Sequence, residues 1–263
     1  MKKFGKAMFP GFVVLMGFLM TGGIAGAAYV DLTSTGFSGS VSGAFFQQID
    51  PQSTGTGVID PFLRIQANGT EVGFNTDASN PAPDAKQGSW THSIQVSDIP
   101  VVNIGGVNYR QFLLDINENN NANLDQYLSL DTIQLFYASS PTLNSLSALN
   151  ASTKIFDMGA GNHVLLNYAL NPGSGAGDMF MYIPDSVFAN AGSNYIYLYT
   201  EFGFLGDNTV NGITGDWSSS DGFEEWAILR GSSEVPVPEP GTMLLLGSGL
   251  VGLAGWGRKK FRK

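Results

Sequence analysis

The chain has no cysteine, only two histidines and few charged residues for its 263 positions. Without thiols it can build neither a disulfide framework nor a thiolate metal site. His92 and His163 lie far apart in sequence. No G-x-S-x-G, H-E-x-x-H or P-loop pattern accompanies them. Nothing therefore signals a histidine triad, a zinc protease helix or a phosphate-binding loop. Bases are nearly missing from the body of the chain. Of 13 Lys and Arg, three stand in the first six residues and five in the last six. Only Arg64, Lys86, Arg110, Lys154 and Arg230 lie between, against all 22 acids. Such a surface repels nucleic acid and anionic lipid, and it attracts divalent cations and polycations. Between residues 30 and 232 no long segment carries a helical period, and no unit repeats at a fixed length.

What the chain does have is distinctive at both ends. Residues 1–27 place Lys2, Lys3 and Lys6 before an apolar run from Phe12 to Met20, followed by Ala25-Gly26-Ala27. A basic stretch, an apolar core and an A-x-A site make a secretory signal peptide, with mature protein expected to begin near Ala28. Residues 233–263 hold a second apolar run bounded by Pro238-Glu239-Pro240 and by Arg258-Lys259-Lys260. Gly241 to Gly257 gives 17 residues, at the short edge of a membrane-spanning helix. Glycines inside the run weaken it further. The basic cluster stays cytoplasmic by the positive-inside rule, which leaves the body outside. The prolines keep the Pro-Glu-Pro step extended, as a peptidase cleft requires.

The order Val237-Pro238-Glu239-Pro240-Gly241-Thr242, short apolar span, basic tail resembles the PEP-CTERM sorting signal of bacteria. The resemblance implies an exosortase, a transpeptidase-like membrane enzyme, acting at or near the Pro-Glu-Pro step. It also implies export through the Sec translocon, signal peptidase cleavage, and a Gram-negative host that makes exopolysaccharide. The body resembles one type of exported PEP-CTERM protein through GTGVIDPFLRIQANGTEVGFNTD (55–77), FLLDINE (112–118), LSLDTIQLF (128–136), GSGAGDMFMYIPDSVF (173–188) and SDGFEEWAI (220–228). That second resemblance implies an extracellular β domain and carries no catalytic residues.

Read from its own residues, the body is a series of short strands separated by Gly, Asn, Pro, Ser and Asp. Strands are expected at 41–48, 58–66, 93–97, 107–116, 163–169, 178–183, 194–202 and 223–230, with one short helix at 143–150. In NYIYLYTEF, Tyr195, Tyr197 and Tyr199 share one face and Ile196 and Leu198 the other. The expected fold is all-β. A jelly-roll-like β-sandwich over 28–232 lies between the signal peptide and the single transmembrane sorting helix.

Three features carry candidate chemistry. DINENNNANLD places Asp115, Asn117, Asn119, Asn121, Asn123 and Asp125 at alternate positions. This matches the D-x-[DN]-x-[DN] opening of a calcium loop, although Asn120 replaces its glycine and Gln126 its closing glutamate. The bland alternative is an Asn-rich loop capping its own backbone. Glu224 and Glu225 are adjacent, so on a strand they face opposite ways and cannot share one scissile bond. One is expected exposed and the other near the rim, with Phe223 and Trp226 in the core. Trp217 stands in the polar stretch NGITGDWSSSDG and is a candidate exposed platform for a sugar ring, beside Trp90, Tyr109 and the tyrosine stripe. The expected function is a non-enzymatic surface or matrix protein associated with exopolysaccharide. A calcium-assisted carbohydrate-binding module and a polysaccharide-active enzyme are the alternatives.

Overall fold

The computed structural model describes residues 28–54, 57–81, 83–119, 125–220 and 222–230. The expected signal peptide and sorting signal, with the site residues Ala25, Ala27, Pro238, Glu239, Pro240, Arg258, Lys259 and Lys260, lie outside the described residues. Among the described residues no helix is long and apolar enough to cross a membrane.

The described chain is all-β and forms two seven-stranded sheets. The first contains β1 (Tyr29–Asp31), β6 (Glu71–Phe74), β7 (Ile94–Gln95), β10 (Tyr127–Ala138), β11 (Thr153–Asp157), β12 (His163–Asn167) and β14 (Tyr195–Phe202). Its order is β1-β12-β10-β14-β6, with β11 on β10 and β7 on β14. The second contains β2 (Ser38–Val41), β3 (Ala44–Ser53), β4 (Ile59–Ile65), β8 (Val101–Ile104), β9 (Val107–Asp115), β13 (Ala176–Pro184) and β18 (Glu224–Leu229). Its order is β2-β3-β13-β9-β18-β4, with β8 on β9. Two small pairs accompany them, β15 (Asp207–Val210) with β16 (Ile213–Asp216) and β5 (Asn68–Gly69) with β17 (Ser219–Ser220).

Alternation along the strands puts one face of each sheet into a shared core. Phe46, Phe112, Leu114, Met179, Met181 and Trp226 of the second sheet meet Ile133, Leu135, Val164, Ile196, Leu198 and Phe202 of the first. Each fully buried side chain of this size contributes roughly 1.5–3 kcal/mol. The expected strands at 58–66, 107–116, 163–169 and 194–202 appear within a residue or two of their limits. The expected strand at 93–97 shrinks to Ile94–Gln95, because Val96–Asp98 tightens into a 3₁₀ turn. The expected helix at 143–150 is α1 (Leu146–Asn150), capped by Ser145, whose hydroxyl accepts from the Ala148 amide.

The longest strand, β10, falls outside the expected set. Its register slips between Leu130 and Thr132, where a bulge intervenes. Leu128 and Leu130 keep one phase, and Ile133 and Leu135 keep the other. All four nevertheless reach the core. A period of two broken in its middle does not read as one strand.

The outer faces of the sheets differ, and that difference positions the site. On the first sheet, α1 lays Leu149 over Phe136, Tyr197 and Phe74. Nearby, Trp217 and Val210 of the β15–β16 region cover Leu165. On the second sheet, a small apolar patch of Ile49, Ile59, Leu113 and Ala227 borders an open, charged cleft.

Candidate functional site

The cleft lies over β4, β18 and β9 and encloses about 490 Å³. Its floor follows from register. Arg64 lies opposite Glu225, and Glu225 lies opposite Asp115. Directly paired residues of neighbouring strands project to the same side, so one row of three ionisable groups crosses three strands. The arginine Nε donates to Glu225 Oε2 at 2.8 Å, and its Nη2 donates to the same oxygen. The guanidinium is also held between two rings. It lies 4.3 Å from the Trp90 ring centre and 4.3 Å from that of Phe223. Such cation–π contacts are worth roughly 0.5–2 kcal/mol each. Trp90 is 43% exposed and lines the cleft.

Asp115 sits deeper in the floor. Its Oδ2 accepts from Thr54 Oγ1 at 2.8 Å and from the Gly175 amide at 3.1 Å. Its Oδ1 has no hydrogen-bond partner among the described residues. Burial pushes this carboxyl up to about 6, and repulsion from Glu225 adds to the rise. At the rim, Arg230 donates to Asp60 at 2.9 Å. The cleft thus offers a flat ring, carboxyl acceptors and guanidinium donors, the groups that read a sugar's apolar face and its hydroxyls. Directly opposite residues have Cβ atoms about 4.5–5.5 Å apart. Asp115 and Glu225 are therefore close enough to act on one ligand.

Among the described Asx residues of DINENNNANLD, Asp115, Asn117 and Asn119 each have a different partner. Asp115 belongs to the cleft. Asn117 Oδ1 accepts from the Tyr168 hydroxyl at 3.2 Å. The Asn119 amide donates to Ser220 Oγ at 2.9 Å. Asp125 stands in the turn that opens β10. Asn121 and Asn123 lie outside the described residues. Glu118, standing among them, turns inward to meet Glu71 and Glu224. Nothing in the sequence singled out Glu118 or Glu71, since both stand in polar stretches that read as loop.

Two expectations need correction. Trp217 is fully buried rather than exposed. Its ring lies 4.9 Å from that of Tyr127, and its indole N–H donates to the Asn208 carbonyl at 3.3 Å. The polar residues around it form a hairpin that folds over its ring, so among the described residues the accessible tryptophan is Trp90. Glu224 and Glu225 do point to opposite faces, but neither is exposed, at 0% and 6%. Trp226 is core, whereas Phe223 packs on Arg64.

Comparison with known proteins decides one matter. Residues 236–259 match the family model of the PEP-CTERM protein-sorting motif. The chain carries a PEP-CTERM sorting motif. The match covers Pro238, Glu239 and Pro240, the apolar span and the first bases of the tail. A PEP-CTERM motif marks an exported protein, transiently anchored in a membrane and processed by an exosortase. No curated protein and no solved structure matched the chain.

Proposed function

We propose that this PEP-CTERM protein is a non-enzymatic component of the cell surface or extracellular matrix of a Gram-negative bacterium. It associates with exopolysaccharide through the cleft beside Trp90. The observation that carries the reading is the exposed Trp90 ring, braced by Arg64 above a floor of carboxyls and arginines. The Sec translocon and signal peptidase act first, after Ala27. The C-terminal helix then holds the chain in the membrane until the exosortase cuts near Pro238-Glu239-Pro240.

Calorimetric titration with the host exopolysaccharide tests the binding. Trp90→Ala is expected to weaken it at least about tenfold, by the loss of one stacking ring. Equal binding by the variant and the wild type removes the cleft from the proposal. Mass spectrometry of protein recovered from the matrix tests the sorting. The expected termini lie near Ala28 and Pro240, and an intact Lys263 on membrane-bound protein contradicts it.

One observation favours a second reading, a polysaccharide-active enzyme. Asp115 and Glu225 face each other in one cleft, with the Asp115 carboxyl pushed up to about 6 by burial and the Glu225 carboxylate bonded to Arg64. Two carboxyls facing one cleft are the groups that glycoside hydrolysis uses. Release of reducing ends from the exopolysaccharide, lost in both Asp115→Asn and Glu225→Gln, supports it. The absence of such release leaves the binding reading alone.

A further inference from the structure

Three glutamates converge at one end of the sandwich, from segments remote in sequence. Glu71 stands on β6 of the first sheet, Glu224 on β18 of the second, and Glu118 just beyond β9. They offer ligand oxygens that all lie within 4.8 Å of one another. Glu71 and Glu224 are 0% exposed and Glu118 is 5% exposed. Both oxygens of Glu224 and Oε1 of Glu118 have no hydrogen-bond partner outside the cluster among the described residues, and Glu71 has the nearby Ser219 and the Ala67 amide to offset its burial. The remaining oxygen, Glu118 Oε2, accepts from the Ser220 amide at 2.7 Å and from its hydroxyl. No ion pair among the described residues reaches any of the three.

Buried, unpaired carboxylates are among the most costly arrangements a protein can hold. Here burial raises all three acids, Glu118 to about 7. The local chain is nonetheless built to bring them together. A Cβ at Gly222 would stand 1.4 Å from the Asn117 carbonyl oxygen. Only glycine lets the strand bearing Glu224 pass so close to the segment bearing Glu118.

We propose that Glu71, Glu118 and Glu224 form a buried divalent-cation site, suited to Ca²⁺, that ties the two sheets together. Hard cations take oxygen ligands, and Ca²⁺ at about 2.4 Å from each allows ligand separations up to about 4.8 Å. The separations here fall in that range. Ca²⁺ accepts irregular carboxylate cages, whereas Mg²⁺ demands near-octahedral geometry and keeps waters. Zn²⁺ favours nitrogen and sulfur ligands. The site is independent of the cleft, because Glu224 faces the interior while Glu225 faces outward. It is also separate from the Asx pattern of DINENNNANLD, to which it owes only Glu118.

The test uses the full chain purified in detergent. It is stripped with EDTA, dialysed and titrated with CaCl₂ or MgCl₂. Calcium content and thermal unfolding are the readouts. The expected result is one tightly held Ca²⁺ per chain and a Tm rise of about 5–10 °C at a hundredfold excess over Kd. Glu224→Gln is expected to abolish that ion and the Tm response, while its Tm in EDTA equals or exceeds that of the stripped wild type. Should it fail to fold, Glu71→Gln, from the opposite sheet, carries the same readouts. No calcium retained, and one Tm in EDTA and in millimolar Ca²⁺, overturns the proposal in favour of a proton-sharing triad. Calcium retained undiminished by the glutamine variants overturns it as well.

Discussion

Arg64 is bound from three directions, by Glu225 and by the rings of Trp90 and Phe223. Its removal leaves the Glu225 carboxylate buried without a cation. Arg64→Met is therefore expected to cost roughly 3–5 kcal/mol in urea denaturation at pH 7. Adding Glu225→Gln should recover most of that loss, since the uncompensated charge goes with it. Asp115 supports a pH prediction. Its folded carboxyl titrates at about 6, above the ordinary aspartate value of 3.8. The native state thus holds its proton more tightly than the unfolded chain. This group's contribution is fully present below about pH 4 and is lost as pH rises through about 6. Asp115→Asn mimics the protonated form. From pH 4 to pH 8, its stability relative to wild type is expected to improve by roughly 2–3 kcal/mol. Urea midpoints at the two pH values measure this, and no change in the gap would mean an ordinary carboxyl.

Among the elements, the hairpin of β15 and β16 depends on Trp217. The ring fills the space between that hairpin and Leu165, outside the main core. Trp217→Ala should cost about 3–5 kcal/mol. Amide hydrogen exchange is expected to lose protection first at 207–216, while β9, β13 and β18 stay protected. Uniform loss across both sheets would show that the hairpin and the core unfold together. The same element shows how composition misleads. Thr209, Asn211, Thr214, Asp216, Ser218 and Ser220 make this stretch read as solvated loop. In a short hairpin the polar side chains line the solvent side, while one large ring meets the sheet. Strands with unbroken alternation, such as β14, were legible. The bulged β10 was not, because its inward phase changes halfway.

For the whole molecule, the distribution of charge governs behaviour. The acids lie between two basic ends, so removal of the ends leaves a product whose stretch up to Arg230 holds 20 acids against five bases. The matrix-recovered protein is expected to elute from an anion exchanger at clearly higher salt than the precursor. Coincident elution would indicate that the basic ends are retained. Only part of the candidate site could be read from sequence. Asp115 and Glu225 were both noticed, but for other roles. Their pairing depends on β9 and β18 being neighbours, although about 110 residues separate them along the chain. The glutamate triad lay further out of reach, since it draws one residue from each sheet and one from the segment after β9.

The sorting motif and the fold class were legible in local patterns. The Pro-Glu-Pro step, the apolar span and the first bases of the tail form one contiguous segment, and residues 236–259 match the PEP-CTERM motif. Alternation with a period of two is local as well, and it was enough to specify an all-β body. Which side chains meet was decided only by tertiary structure. Sheet register set Arg64, Glu225 and Asp115 in one row, folded a hairpin over Trp217, left Trp90 outside and turned Glu118 toward Glu71 and Glu224. A residue's neighbours along the chain determine which way it points. Its neighbours in space, which arrive from distant strands, determine what it can do there.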